Sequence, residues 1–156
     1  MTTALLTISS DRNLDAACAT VSGEIARTDS KASLLLAFDG AALAGLASVV
    51  DKDLPTFTKV VGALAVLALA AAAVLLLLVV RPCLTASGRP SPGTFPQWAL
   101  LEENDLQEAM GQDYRPARVK ALSILAVRKF RRLALAVDVI LAALALLTVA
   151  TTGALV

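Results

Sequence analysis

The sequence predicts an all-α protein with three transmembrane helices, the first and third of which extend into a cytosolic helical bundle or stalk that carries an extra short helix. Its composition supports this prediction, because the 156 residues are 57% hydrophobic but only 4% aromatic. The apolar residues are mainly Ala, Leu and Val gathered in blocks, which is typical of membrane helices. The clearest block, residues 57–80, has a single charge near its start. A helix of that length crosses a hydrocarbon core of about 30 Å.

Two further apolar blocks each contain one acid. Residues 32–50 include Asp39, and residues 133–150 include Asp138. A charge near the centre of a span costs about 2.5–3.5 kcal/mol, but both acids lie nearer one end, where the cost is lower. We therefore expect both blocks to span the membrane and both acids to be gating candidates, because intramembrane acids are usually functional. The structural alternative is pairing at the membrane surface, for instance of Asp138 with Arg131.

The distribution of Lys and Arg predicts the orientation. Three of these residues precede residue 32, nine lie between residues 81 and 132, and none follows. Cytosolic segments carry the excess of positive charge, so we expect the N-terminus in the cytosol and the C-terminus outside. The predicted order is a cytosolic helix (1–31), a first span (32–50), an external turn (51–56), a second span (57–80), a cytosolic segment (81–132), a third span (133–150) and an external end (151–156).

The cytosolic segments show helical periodicity that continues into the spans. Apolar residues recur at helical spacing from Leu14 to Ile25 without a break before the first span, after an expected N-cap at Ser10 or Asp11. The same pattern runs from Val119 into the third span. A short acidic helix is expected at about residues 98–110. The first and third helices are therefore predicted to couple a cytosolic bundle to the membrane bundle.

Several function classes are disfavoured by what the chain lacks. It has no His, and its two cysteines, Cys18 and Cys83, match no metal or redox spacing. Phosphate-binding loops and nucleophile motifs are absent from the sequence. A net charge of +1 disfavours nucleic-acid binding. We therefore expect a protein that is not an enzyme and that uses no cofactor or metal.

Basic residues at the membrane surface form a candidate anion site. Arg27 and Lys31 lie one turn apart on the first helix, and a basic run precedes the third span. The candidate residues for gripping a phosphate are Arg27, Lys31, Lys129 and Arg132, and Asp29 is the candidate for ordering these cations or binding a hydroxyl of the ligand. The structural alternative is a set of topology anchors that meet anionic lipid. Small residues at every fourth position in the first span, including Gly40 and Gly45, permit close helix approach, and we expect a homo-oligomer.

Four segments resemble one known family. They are Glu-Ile-Ala-Arg-Thr-Asp-Ser-Lys-Ala at residues 24–32, Arg81-Pro82, the acidic helix, and Ala-Val-Arg-Lys-Phe-Arg-Arg-Leu at residues 126–133. In this order they resemble the transmembrane effector of Pycsar, the bacterial pyrimidine-cyclase antiphage system. The matching motif residues would be Asp29, Lys31, Lys129 and Arg132. The chain departs from the family at position 83, where Cys83 replaces a frequent basic residue.

The resemblance implies an activity and partners. The family effector senses cyclic UMP or cyclic CMP made by a neighbouring pyrimidine cyclase, and impairs the bacterial inner membrane so that the infected cell dies. Binding of a small anion would shift helix packing in the lipid bilayer. Two other classes fit the same pattern of spans: a constitutive pore former such as a phage holin, and an accessory subunit of a larger membrane complex.

Overall fold

The computed structural model describes residues 2–48, 55–81 and 93–155. These residues form helices and turns, and no strand occurs among them. The helices are α1 (Thr2–Ala47), α2 (Thr56–Val80), α3 (Phe95–Trp98), α4 (Glu103–Met110) and α5 (Arg115–Leu155). The chain divides into two compact units: a charged unit, Met1–Arg27 with Pro82–Lys129, and an apolar unit, Thr28–Arg81 with Phe130–Val156.

The predicted all-α class is confirmed. Three helical segments are long and apolar enough to cross a membrane: Asp11–Ala47, Thr56–Val80 and Arg115–Gly153. Helix α2 begins one residue before the predicted second span and ends where that span was predicted to end. The predicted end of the first span at residues 49–50, most of the external turn, and the segment 82–92 with Pro82 and Cys83 lie outside the described residues.

Two helix boundaries were predicted wrongly. Helix α1 begins at Thr2 rather than after a cap at Ser10 or Asp11. Residues 2–10 contain neither Pro nor Gly, so nothing in them breaks the helix. The acidic helix predicted at about residues 98–110 begins only at Glu103, as α4, and the separate four-residue helix α3 ends at Trp98. The chain turns between α3 and α4 and is extended at Glu102. Helix α4 then begins with Glu103 and Asp105 in its first turn, where carboxylates interact favourably with the positive end of the helix dipole.

In the apolar unit, the C-terminal half of α2 packs in one cluster with residues of α1 and α5. One buried cluster joins residues of all three helices: Ala32 of α1, Ala72, Leu76 and Val79 of α2, and Leu133, Ala136 and Ile140 of α5. At the other end of α2, a Cβ on Gly153 would lie 3.1 Å from the ring of Phe57. Helix α2 therefore runs antiparallel to α5, as three successive membrane crossings require.

Small side chains fill the interior of the apolar unit, and large ones cover its surface. The buried positions of α5 recur at alternating intervals of three and four residues, which is the spacing of left-handed helix packing. Six of the twelve buried hydrophobic residues described in the apolar unit are alanines, whereas Leu67, Val74, Leu135 and Leu141 are exposed. A soluble protein places its large apolar side chains inside, so this arrangement suits helices surrounded by lipid.

Candidate functional site

Asp39 is the most unusual polar residue of the apolar unit. Its side chain is 0% exposed, seven residues along α1 from the buried Ala32. Neither carboxylate oxygen has a hydrogen-bond partner among the described residues. A buried polar group without a partner costs about 1–3 kcal/mol, and more if it is charged. Asp39 therefore destabilises the closely packed arrangement in which the structure holds it.

A second buried polar atom lies on α2 of the same unit. Thr58 is 6% exposed, and its hydroxyl oxygen has no hydrogen-bond partner in the described part of the chain. The side chain lies near Gly153, at the end of the unit where α5 approaches its C-terminus. Asp39 and Thr58 thus place two polar groups on buried faces that are otherwise lined by Ala, Leu and Val.

Asp138, the acid of the third predicted span, lies on a different kind of surface from Asp39. Asp39 follows Ala32 by seven residues and Asp138 follows Leu133 by five, which corresponds to about 10 and 8 Å along their helices. Asp138 is exposed, because it stands two residues from Ala136 and so leaves the buried face of α5. In the described residues it forms no ion pair, so the alternative of pairing with Arg131 does not hold in this structure.

The five candidate residues of the anion site divide between the two units. Arg27 and Lys129 belong to the charged unit. The Arg27 guanidinium extends into solvent and pairs with Glu24 at 3.0 Å, one turn earlier on α1. Lys129 is only 6% exposed, and it occupies a position of the buried face of α5, four residues before Leu133. The lysine that the sequence placed at the membrane surface is therefore an interior residue.

The other three candidates belong to the apolar unit, and their environments differ. Lys31 is exposed, whereas Asp29 is half-buried. Arg132 donates a hydrogen bond to the backbone oxygen of Leu78 at 3.3 Å. Leu78 is in the last turn of α2, where carbonyl groups lack helical partners and attract cations. Arg132 therefore stabilises the end of α2, a contact that the sequence did not reveal.

The charged unit contains an ion-pair cluster centred on Arg115, the first residue of α5. Its guanidinium contacts the carboxylates of Asp11 at 2.8 Å, Asp15 at 3.5 Å and Asp113 at 2.9 Å. The hydrogen bond from Arg115 lowers the pKa of Asp113 and raises the pKa of the guanidinium itself. Because Asp11 and Asp15 belong to α1, this cluster fastens the start of α5 to α1 within the charged unit.

No local pattern in the sequence indicates this cluster, because Asp11 and Asp15 precede Arg115 by 104 and 100 residues. Thr28, which is 1% exposed, was likewise not singled out, although it continues the spacing of Val21 and Ile25 along one face of α1. A heptad count through α1 would have found it, since Thr28, Leu35 and Ala42 recur every seven residues.

The fold and its polar groups define a small helical membrane protein that has three spans and a charged helical unit. Its sequence matches the family model of the Pycsar effector protein domain, PycTM, over residues 13–156. The chain therefore belongs to the PycTM family, which confirms the resemblance found in its motifs. It is an effector of the Pycsar antiphage defence system rather than a cyclase. No curated protein and no solved structure gave a significant match.

Proposed function

We propose that this protein is activated by cyclic UMP or cyclic CMP, made by a partner pyrimidine cyclase, and then impairs the integrity of the bacterial inner membrane. Family membership supports a cyclic-nucleotide signal in general. The observation that supports the rest of the proposal is the burial of Asp39 in a three-helix apolar unit, where its carboxylate has no hydrogen-bond partner among the described residues. The expected consequence for the infected cell is abortive infection.

The proposed mechanism uses the continuity of two helices. Helices α1 and α5 each run without interruption from the charged unit into the apolar unit. A ligand bound to the charged unit shifts the equilibrium only if it binds the active arrangement more tightly than the resting one. In the active arrangement Asp39 meets water, which removes the cost of its unsatisfied oxygens. The free-energy difference between the resting and the active arrangement is therefore smaller than it would be with an apolar residue at position 39.

We also propose that several copies associate in the membrane. Three helices enclose little space, and Asp138 is exposed on a face that would otherwise contact lipid. Gly40 and Gly45 are exposed on α1, and a Cβ on either residue would meet no heavy atom of the described chain within 4 Å other than its chain neighbours and the surrounding backbone of α1. A second copy could cover both surfaces, because polar and small residues favour contacts between membrane helices.

We retain as proposals the orientation in the membrane and the roles of the basic residues that were predicted from the sequence. The excess of Lys and Arg places the N-terminus in the cytosol and the C-terminus outside. Arg27, Asp29, Lys31, Lys129 and Arg132 are the proposed positions for contact with phosphate or for transmission of the signal into the spans. These two roles differ in a measurable way, because a contact residue changes ligand affinity whereas a transmitting residue changes the response at saturating ligand.

Dye release from liposomes that contain the purified protein tests the proposed function. We expect cyclic UMP or cyclic CMP to release the dye, while cyclic AMP and linear 5′-UMP do not. Release without any nucleotide would instead indicate a holin-like pore former. If neither cyclic pyrimidine nucleotide releases dye, the protein is not a self-sufficient effector of this kind, and an accessory subunit becomes the better description.

A further inference from the structure

The charged unit contains a cleft that sequence analysis did not anticipate. Its volume is about 340 Å³, within the range of small-ligand sites. It lies where α3, the end of α4 and the start of α5 meet, and all of its lining residues belong to the charged unit. Two half-buried aromatic residues, Trp98 and Tyr114, line it together with the polar side chains of Gln112, Asp113, Arg115 and Arg118.

The cleft is held by specific contacts. Gly93 has a positive φ of 73°, and a Cβ at this position would collide with the Tyr114 side chain, so only glycine fits beside this side chain. The Gly93 amide donates a hydrogen bond to the side chain of Gln97 at 2.7 Å. The Tyr114 hydroxyl donates to Gln112 at 2.7 Å. The tyrosine ring is therefore fixed from two sides.

The two arginines of the cleft differ in availability. Arg115 is already bonded to three carboxylates, and these contacts keep Asp113 close to it. Arg118 lies one turn further along α5 and is exposed, and within the described residues it has no ion-pair partner. Its guanidinium can accept a phosphate without giving up an existing bond, which makes it the anion-binding group of the cleft.

We infer that this cleft is the recognition site for the activating ligand, a single cyclic nucleotide with its ring against Trp98 and Tyr114 and its phosphate at Arg118. The inference rests on the proposed function for the class of ligand. Aromatic side chains stack on nucleobases, and amide and carboxylate groups such as those of Gln112 and Asp113 hydrogen-bond to base edges. Arg118 and Lys129 are about 16 Å apart along α5, too far for one nucleotide to contact both. The basic residues near the membrane then transmit the signal and do not bind the ligand.

The protein carries its own probe for this site, because Trp98 is its single tryptophan. We expect titration of the full-length protein in lipid nanodiscs with cyclic UMP or cyclic CMP to change the Trp98 fluorescence in a saturable way. Arg118→Ala is expected to weaken binding by about tenfold or more, the loss typical of a charge-assisted hydrogen bond. Lys120→Ala is the matched control, since Lys120 is an exposed cation of α5 outside the cleft.

Calorimetry on the same samples separates the outcomes. Weaker binding by Arg118→Ala and by Trp98→Ala, with normal binding by Lys120→Ala and Lys31→Ala, supports the cleft. If the wild type binds and only Lys31→Ala weakens binding, the assignment of the cleft as the recognition site is overturned while the proposed function stands. If the wild type binds no cyclic pyrimidine nucleotide, the proposed ligand is wrong and the inference is overturned with it. Circular dichroism of each variant identifies any loss of binding that is caused by misfolding.

Discussion

The two units of this protein are stabilised by different kinds of contact. The charged unit relies on polar contacts at its surface, with Arg115 bonded to three carboxylates and Tyr114 bonded to Gln112. The apolar unit relies on close contact of small side chains, and its one buried acid, Asp39, lacks any hydrogen bond in the described residues. Among the described residues, the buried polar side-chain atoms without a hydrogen-bond partner, those of Asp39 and Thr58, all belong to the apolar unit.

The largest effect is expected at Asp39. Asp39→Leu replaces an unsatisfied carboxyl with an apolar group of similar size, so the resting packing should become more stable by about 1–3 kcal/mol. Ligand-triggered dye release should fall sharply, because water that enters the interior would no longer find a carboxylate at position 39 as a hydrogen-bond partner. Thermal unfolding in detergent and the liposome assay measure the two quantities. Asp138→Leu is the matched control on an exposed face, and it should leave the stability of the monomer nearly unchanged.

Overpacking the interior of the apolar unit should have the next largest effect. Ala136 is 0% exposed, and Ala136→Leu adds volume where α5 meets the other helices. We expect destabilisation by about 1–3 kcal/mol. Ala134→Leu makes the same change at an exposed position two residues away, where it should cost almost nothing. Equal thermal stability of the two variants would mean that α5 does not present this face to the unit.

Removal of the Arg115 cluster should weaken the charged unit only slightly. The carboxylates are between 45% and 68% exposed, so solvent screens each pair, and Arg115→Ala should lower the stability only slightly. The loss should be smaller still in high salt, because salt screens exposed charges. Chemical denaturation at low and high salt measures it, with Lys120→Ala as the control. A loss that is independent of salt would show that Arg115 acts through packing.

The same cluster predicts a pH dependence with a definite sign. The Arg115 hydrogen bond depresses the pKa of Asp113 in the folded chain. The resulting stability is therefore fully present above the unfolded-state pKa of about 4 and is lost as the pH falls through the lower folded-state value. Thermal unfolding measured between neutral pH and strongly acidic pH should show this loss in the wild type. Arg115→Ala should reduce the acid-dependent difference, and an unchanged pH profile would contradict the assignment.

The smallest effect is expected at the membrane boundary. Lys31 is exposed, and no ion pair of the described chain involves it. Lys31→Gln should leave nucleotide affinity unchanged and reduce dye release at saturating ligand by a modest factor. Liposomes with and without anionic lipid distinguish this transmitting role from simple anchoring, because an anchor matters only where anionic headgroups are present.

The spans could be predicted from sequence because length and composition are local properties. The 25-residue helix α2 matches its prediction to within one residue for that reason. The difference between Asp39 and Asp138 was not predicted, since each is a single acid in an apolar block and only the rotation of its helix decides whether it is buried. The helical spacing is consistent with this difference. Asp39 lies seven residues after Ala32 and therefore on the same face of α1, whereas Asp138 lies two residues after Ala136 and therefore on a different face of α5.

The charged unit was harder to predict because its contacts join distant parts of the chain. Arg115 meets Asp11 across 104 residues, and no pattern within either helix indicates this contact. The cleft depends on a glycine with positive φ and on the break between α3 and α4, which was predicted as continuous helix. The motif positions near the membrane were recognised by family resemblance, but their burial, above all that of Lys129, required the structure.

The central claim is that a ligand bound to the charged unit admits water to the interior of the apolar unit. The most direct measurement is the labelling rate of Ala143→Cys by a water-soluble thiol reagent, in a chain whose Cys18 and Cys83 are replaced by serine. Ala143 is buried on α5, and the exposed Leu141→Cys is the lipid-facing control. Cyclic pyrimidine nucleotide is expected to accelerate labelling at position 143 and not at position 141. Dye release with no change in labelling at position 143 would contradict it.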